Sequence, residues 1–248
     1  MRVAALYDIH GNLPALEAVL QEVRQADVDR IVIGGDVLPG PMPRETLDQL
    51  LALDIPAMFI RGNGDRVVLE KTQGKDSAEV PESFREIIRW NAEQLTAHQR
   101  EVIGRWPQTT RIDMPALGEV LFCHATPRND TEIFTRLTPD NLLAPIFNAT
   151  GAAIVVCGHT HMQFDGTAGH TRVLNAGSVG MPFGAPGAYW LLLGPDVQLR
   201  RTDYDLSRAA DRIRASGYPQ AESFATHNIL QPPTEEQMVE IFTKAQLR

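Results

Sequence analysis

Thiols are scarce in this sequence: Cys123 and Cys157 are the two cysteines among 248 residues, too few for the disulfide framework of a small secreted scaffold. Basic charge is also in deficit. Lys and Arg number 23 against 31 Asp and Glu, for a formal charge of -8 and a pI near 5.4. That balance excludes a surface built to neutralise a nucleic-acid backbone, so no nucleic-acid polymer is expected as a partner. A small anionic substrate then needs local positive charge, such as bound metal. Long apolar runs are missing too. Stretches such as "YWLLLG" fall far short of the ~20 residues a membrane-spanning helix requires. No basic-then-apolar leader opens the sequence, and with so few thiols a cytoplasmic location is expected.

What is present has a rhythm. Short apolar runs alternate with helical patterns in the N-terminal half, the signature of βαβ units and a sheet buried on both faces. "VAALY" ends at Asp8; Asn12 as N-cap, Pro14, and then Leu16, Val19, Leu20 and Val23 at helical spacing predict an amphipathic helix. "RIVIGG" ends at Asp36, and a helix is expected from about Pro43 to Leu53 with Leu47, Leu50 and Leu51 on one face. "AMFIRG" ends at Asn63, in a segment, "FIRGNGDR", that has the Asn-Gly pair of a hairpin turn. Residues 72–107 break the rhythm and read as a helical insertion beside or over the strand ends, with Thr96 and Gln99 as a capping box. "RIDM" and "EVLFC" restore it, the latter ending at His124. A helix from Pro139 to Asn148 follows, then "AAIVVC", ending at His159 and His161. "TRVLN", "AYWLLL" and "VQLRRTDY" read as antiparallel strands that imply a second sheet, and a helical tail runs from Leu206 with breaks at Gly217-Tyr218-Pro219 and Gln231-Pro232-Pro233. One domain over 1–248 is expected.

Asp8, His10, Asp36, Asn63, His124, His159 and His161 therefore stand at or just beyond five strand ends, the edge of an α/β sheet where ligands bind. Carboxylate, imidazole and amide donors without thiolate suit Mn, Fe, Zn, Co or Ni as divalent ions. Seven donors exceed the four of a structural zinc site, and two metals sharing a carboxylate use such a set naturally.

The segments "DIHGN", "GGDVLPG", "RGNGD", "CHATP" and "GHTH", in that order, closely resemble the five motifs of the calcineurin-like metallophosphoesterases. The resemblance covers residues 1 to about 205. "RGNGD" and "NAGSVG", Asn175 to Gly180, look most like the small prokaryotic phosphodiesterase branch, which includes diadenosine tetraphosphatase-like proteins. The resemblance implies a mixed α/β fold, a two-sheet β-sandwich flanked by helices. It also implies a dinuclear centre, with Asp8, His10 and His161 on one divalent transition metal ion, Asn63, His124 and His159 on the other, and Asp36 bridging. Two cations about 3.5–4 Å apart lower the pKa of a shared water and stabilise the attacking and leaving oxygens of an in-line displacement. Asp36, Asn63 and His124 are then the residues closest to catalysis, and a small phosphorylated compound is the expected partner.

Arg61, Arg66 and Arg128 flank the motifs and are candidates for bidentate contacts to substrate phosphate; the alternative is an ion pair with a carboxylate. Asp65 is expected to orient a metal-bound histidine or water. Cys123 and Cys157 should point away from the site by strand alternation and pack as core thiols. His98, in the insertion, could reach the strand ends. Two other functions fit these residues less well. A non-catalytic interaction protein on this fold is expected to have lost ligands, and none of the seven is missing; a nuclease is expected to be basic.

One position departs from the phosphatase pattern. Phosphatase-type members of the fold typically carry a histidine after the motif asparagine, well placed to protonate the leaving oxygen. Here the residue is Gly64. Loss of a general acid costs about 10²–10⁴-fold, most for a poor leaving group, which favours diester or anhydride substrates. Gly64→His is expected to raise monoesterase relative to diesterase activity if the site accommodates it.

Overall fold

The computed structural model describes residues 1–247. The chain opens with β1 (Val3–Leu6), α1 (Leu13–Gln25), β2 (Arg30–Ile33), α2 (Pro43–Leu51) and β3 (Ala57–Phe59). Three helices follow, α3 (Asn63–Thr72), α4 (Glu82–Gln94) and α5 (Ala97–Gly104). Next come β4 (Thr109–Met114), β5 (Gly118–Cys123), α6 (Asp140–Asn148), β6 (Ile154–Cys157), β7 (Phe164–Ala168), β8 (Thr171–Asn175), β9 (Ala188–Leu193) and β10 (Val197–Thr202). The tail holds α7 (Leu206–Arg214), α8 (Ala221–Phe224) continuing as a π-helical stretch (Ala225–Leu230), and α9 (Glu235–Ala245). No helix of the described residues is long and apolar enough to cross a membrane.

The strands form two five-stranded mixed sheets, ordered β10-β9-β1-β2-β3 and β4-β5-β6-β8-β7. β1, β2 and β3 run parallel, as do β5, β6 and β8. Strand alternation builds the layers. Val3, Ala5 and Tyr7 face Val120, Phe122 and Val156 between the sheets, while Ala4 and Leu6 turn outward onto the apolar stripe of α1, Leu16, Val19, Leu20 and Val23. On the outer face of the second sheet Cys123, Val155 and Cys157 pack against Leu143, Ile146 and Phe147 of α6. Both cysteines are buried free thiols on this outward face.

Helix starts follow local chemistry. Asn12 Oδ1 accepts from Ala15 N–H at 3.2 Å and Pro14 occupies the first turn of α1. Thr96 and Gln99 form a reciprocal capping box on α5, as Thr234 and Gln237 do on α9.

The structure departs from the sequence reading in several places. Leu51 is exposed, and the buried stripe of α2 is Leu47 and Leu50 with Pro43 and Thr46. "RGNGD" is not a hairpin: Asn63 opens α3, because Asp65 accepts from Gly62 N–H at 3.0 Å and Arg66 N–H bonds Gly62 C=O at 3.1 Å, closing a first helical turn. The last strands do not make a sheet of their own. β9 pairs antiparallel with β1 and extends the first sheet, while β8 lies parallel to β6 in the second. β7, antiparallel to β8, is an added edge strand. The Gln163 amide, outside every motif, ties the sheets by donating to the carbonyls of Ala176, Trp190 and Arg200 at 2.9–3.1 Å.

Asn12 also donates to Gly180 C=O at 2.9 Å, fastening α1 to the loop after β8. Asn12→Ala leaves a buried N–H and a buried C=O without partners and should lower stability by about 1–3 kcal/mol, read from the urea midpoint at unchanged m-value. A loss under about 0.5 kcal/mol would show that water replaces both bonds.

Candidate metal centre

Each predicted ligand follows the carboxyl end of a strand: Asp8 and His10 after β1, Asp36 after β2, Asn63 at the start of α3 after β3, His124 after β5, His159 and His161 after β6. Five of these seven residues have left-handed backbone. Their φ values are 52° for Asp8, 46° for His10, 50° for Asp36, 64° for His159 and 59° for His161. Such geometry costs a non-glycine residue about 1–2 kcal/mol and persists where its surroundings over-determine it. Here they do. Asp8 N–H bonds Gly35 C=O at 3.1 Å, His10 N–H bonds Asp36 C=O at 2.9 Å, and Asp8 C=O accepts from Ser178 Oγ–H and Gly180 N–H at 2.7 and 3.0 Å.

The side chains converge in two groups, Asp8 with His10 and His161, and Asp36 with His124 and His159, each with its donor atoms within 4.8 Å of one another. The imidazoles are oriented from behind: Nδ1 of His10, His124 and His161 faces the carbonyls of Pro39, Gly34 and Met181 at 3.1, 3.1 and 2.7 Å. A carbonyl only accepts, so Nδ1 carries the hydrogen and Nε2 of the neutral ring presents a lone pair. Nε2 of His10 and of His161 lie 3.2 Å apart. His161 Nε2 is 3.4 Å from Asp8 Oδ1, and His10 and His124 Nε2 are 3.8 and 3.5 Å from Asp36 Oδ2. Asp8 Oδ1 is buried with no hydrogen-bond partner. Lone pairs facing lone pairs around an orphaned carboxylate oxygen are repulsive by themselves and fit a bound cation. The absence of thiolate from the cluster selects borderline N/O-binding divalent ions.

Residues 1–194 match the calcineurin-like phosphoesterase superfamily domain. The chain belongs to this superfamily. It is a metal-dependent phosphoric ester hydrolase. The phosphoesterase is similar to uncharacterized protein MJ0912 of Methanocaldococcus jannaschii, 26% identical, with 88% of this chain and 94% of that one covered. Hypothetical protein PH1004 of Pyrococcus horikoshii shares the fold at a TM-score of 0.78 and 21% identity, over 94% of this chain and 99% of the other. A metallophosphoesterase from Sphaerobacter thermophilus superposes at 0.71 with 28% identity, over 91% of this chain and 97% of its own.

Charge within the phosphoesterase centre is unevenly held. Burial alone would lower the His124 pKa, but the Asp36 and Asp8 carboxylates outweigh it and push it up to about 10. Burial and the His124 charge instead lower His159 to about 4, and burial lowers His10 as well. Asp36 stays ionised: burial opposes this, and His124, followed by His10 and His159, more than compensates. Metal-free, one imidazolium thus stands between the carboxylates, with His124 Nε2–H on Asn63 Oδ1 at 3.0 Å.

Asp65 makes no hydrogen bond to a histidine among the described residues; fully buried, its carboxylate accepts from the N–H groups of Asp36, Leu38 and Gly62 at 2.9, 3.0 and 3.0 Å, lashing the segment after β2 to the start of α3. Burial and the Asp36 charge raise its pKa to about 7 despite those donors. "NAGSVG" likewise faces inward: Asn175 donates to Gly158 C=O at 2.7 Å and Thr160 Oγ at 3.1 Å, and its loop supplies the bonds to Asp8 described above. Arg66 pairs with Asp130 and Glu79 at 2.8 Å each, and Arg128 with Glu132 at 2.7 Å. Arg61 has no carboxylate partner among the described residues, and its Nε is buried without a hydrogen bond. His98 is exposed on α5 and belongs to neither donor group.

Two supports were invisible in the motifs. Asn91 of α4 accepts from Gly40 N–H at 3.0 Å and so holds the loop whose Pro39 carbonyl orients His10. Phe183 stacks on His161, with ring centroids 5.2 Å apart, and Phe242 of α9 packs on Phe183 at 6.0 Å. The tail thus braces His161, one of the predicted ligands.

To hold a metal, His124 would have to lose its proton, so Mn²⁺ binding at pH 7.5 should release about one proton per chain, and affinity should climb up to about ten-fold per pH unit until pH approaches 10. Calorimetry in buffers of different ionisation enthalpy measures the release; pH-independent affinity without release would contradict the His124 assignment.

Proposed function

We propose that this phosphoesterase hydrolyses phosphodiester or phosphoanhydride bonds of a small substrate in preference to simple phosphomonoesters. Asp8, His10 and His161 would hold one divalent cation and Asn63, His124 and His159 a second, with Asp36 shared; Mn, Fe, Zn, Ni or Co would suit this donor set. Bound cations supply a nucleophile at neutral pH and charge for the phosphoryl oxygens. The chain's own part is positional. Gly64 N–H donates to Asp36 Oδ1 at 2.7 Å, which fixes the carboxylate with Oδ2 toward His10 and His124. Neutral Asn63 adds a donor without adding negative charge. Arg61, without a carboxylate partner, is the flanking arginine best able to meet a substrate phosphate, since Arg66 and Arg128 are already neutralised.

The observation that carries the diester reading is the surroundings of Gly64. A Cβ there would lie 2.2 Å from the Leu38 carbonyl oxygen and 2.9 Å from Pro39 Cδ. The backbone of the 38–39 loop fills the space a side chain needs, so no proton donor stands at this position and the leaving group must depart without its help. The same clash answers the earlier expectation for Gly64→His: the site does not accommodate it, and the substitution displaces backbone instead of adding an acid.

A small nucleotide-like substrate, not a polymer, is consistent with the acidic balance of the chain. The two buried thiols, unpaired, support a cytoplasmic setting.

With Mn²⁺ added, kcat/KM for bis-p-nitrophenyl phosphate or a dinucleoside polyphosphate should exceed that for an alkyl monoester by about 10²-fold or more. Equal or greater monoesterase activity would reverse the reading. Asp36→Ala should reduce turnover at least ~10²-fold together with metal content measured by elemental analysis; unchanged activity with metal lost would remove the centre from the reaction.

A further inference from the structure

Beside His10, Asp36, Asn63 and Gly64 opens a cavity of about 460 Å³ whose far wall is Val67, Val80, Pro81, Phe84 and Ile88. Its volume lies in the range that encloses a small organic ligand. Most of that wall belongs to the helical insertion: residues 79–88 lead into and open α4. The lining contains no Lys or Arg. Its one carboxylate away from the donor cluster, Glu79, is held in place by Arg66 at 2.8 Å. Phe84 is 52% exposed, although its helix buries Ile87, Ile88 and Asn91. Nothing in the packing of the chain requires a phenyl ring there.

We propose that this cavity is the specificity pocket of the enzyme, that it takes the planar aromatic heterocycle of a nucleotide, and that Phe84 is its stacking surface. The inference rests on the phosphoesterase reading of the adjoining donor cluster, because a phosphoryl group at that cluster directs its organic substituent into the cavity. The wall does not favour a second anionic group, since no Lys or Arg lines it and the neighbouring Arg66 is already paired with Glu79 and Asp130. Apolar side chains around an exposed ring match a flat π-face. Glu79 and Thr131, both on the lining, are already paired with Arg66 and Asn129, and their remaining acceptor lone pairs suit a ring amino group.

The test is calorimetric titration of the Mn²⁺-loaded full-length protein with adenosine 5′-monophosphate, ribose 5-phosphate, hexyl phosphate and inorganic phosphate. Adenosine 5′-monophosphate should bind about ten-fold more tightly than ribose 5-phosphate. Phe84→Ala should bring that ratio close to one, and Phe84→Trp should restore it; the exposure of the ring makes both variants compatible with folding. Equal affinities in the wild type, a ratio insensitive to Phe84→Ala, or tighter binding of hexyl phosphate would overturn the pocket assignment while leaving the phosphoesterase reading in place. If inorganic phosphate does not bind and bis-p-nitrophenyl phosphate is not hydrolysed, the reading of the donor cluster fails and takes the pocket with it.

Discussion

The meeting of unprotonated imidazole nitrogens with buried carboxylate oxygens is the interaction around which this molecule is arranged. His10 and His161 bring two Nε2 atoms to 3.2 Å of each other, beside an Asp8 oxygen that no protein group satisfies. Such an arrangement is unfavourable until positive charge enters it. The chain supplies one proton, on His124, where the two carboxylates raise the pKa to about 10. A metal ion held there would replace that proton with more charge and with directional bonds, which would make metal binding and proton release a single equilibrium.

Holding such groups together demands a rigid frame, and its cost is visible in the backbone. Five ligand residues adopt left-handed conformations, which the rest of the fold must stabilise. The parallel strands aim the loops at one rim. Asp65 then ties three backbone amides of two loops to one carboxylate, the loop after β8 holds the Asp8 carbonyl, and Asn91 reaches from α4 to fasten Gly40. Close backbone approach at Gly62 and Gly64 is part of the same frame: a Cβ at either would meet Asp36 Oδ1, at 2.2 and 3.0 Å. Stability and function compete here, since these positions are tuned to hold donors near one another and not to relax.

Much of this was legible in the linear sequence. Strand ends, the α1 cap and the α5 capping box follow from periodicity and from residues whose side chains satisfy helix amides. The seven donors stood out because each ends an apolar run. The Asn-Gly pair of "RGNGD" makes no hairpin, because that pair signals one only between paired strands, whereas Asp65, three residues beyond Gly62, closes a helical turn that the sequence reading did not foresee. Leu51 was misplaced because it is the last residue of α2, where the core that buries Leu47 and Leu50 no longer covers the helix. The arginines could not be sorted by sequence: Asp130 lies 64 residues from Arg66 and meets it only in the folded chain.

Residue types and their order determined the α/β character, the strand-end location of the donors and a chemistry limited to N/O-binding cations, because these depend on local periodicity and on the functional groups themselves. Tertiary structure alone decided which sheet the last strands join, which lone pairs face each other, that Asp65 holds backbone and not a ligand, and that the Leu38 carbonyl closes the space beside Gly64. Those outcomes depend on distances between segments far apart in the chain, and sequence spacing carries no such distances.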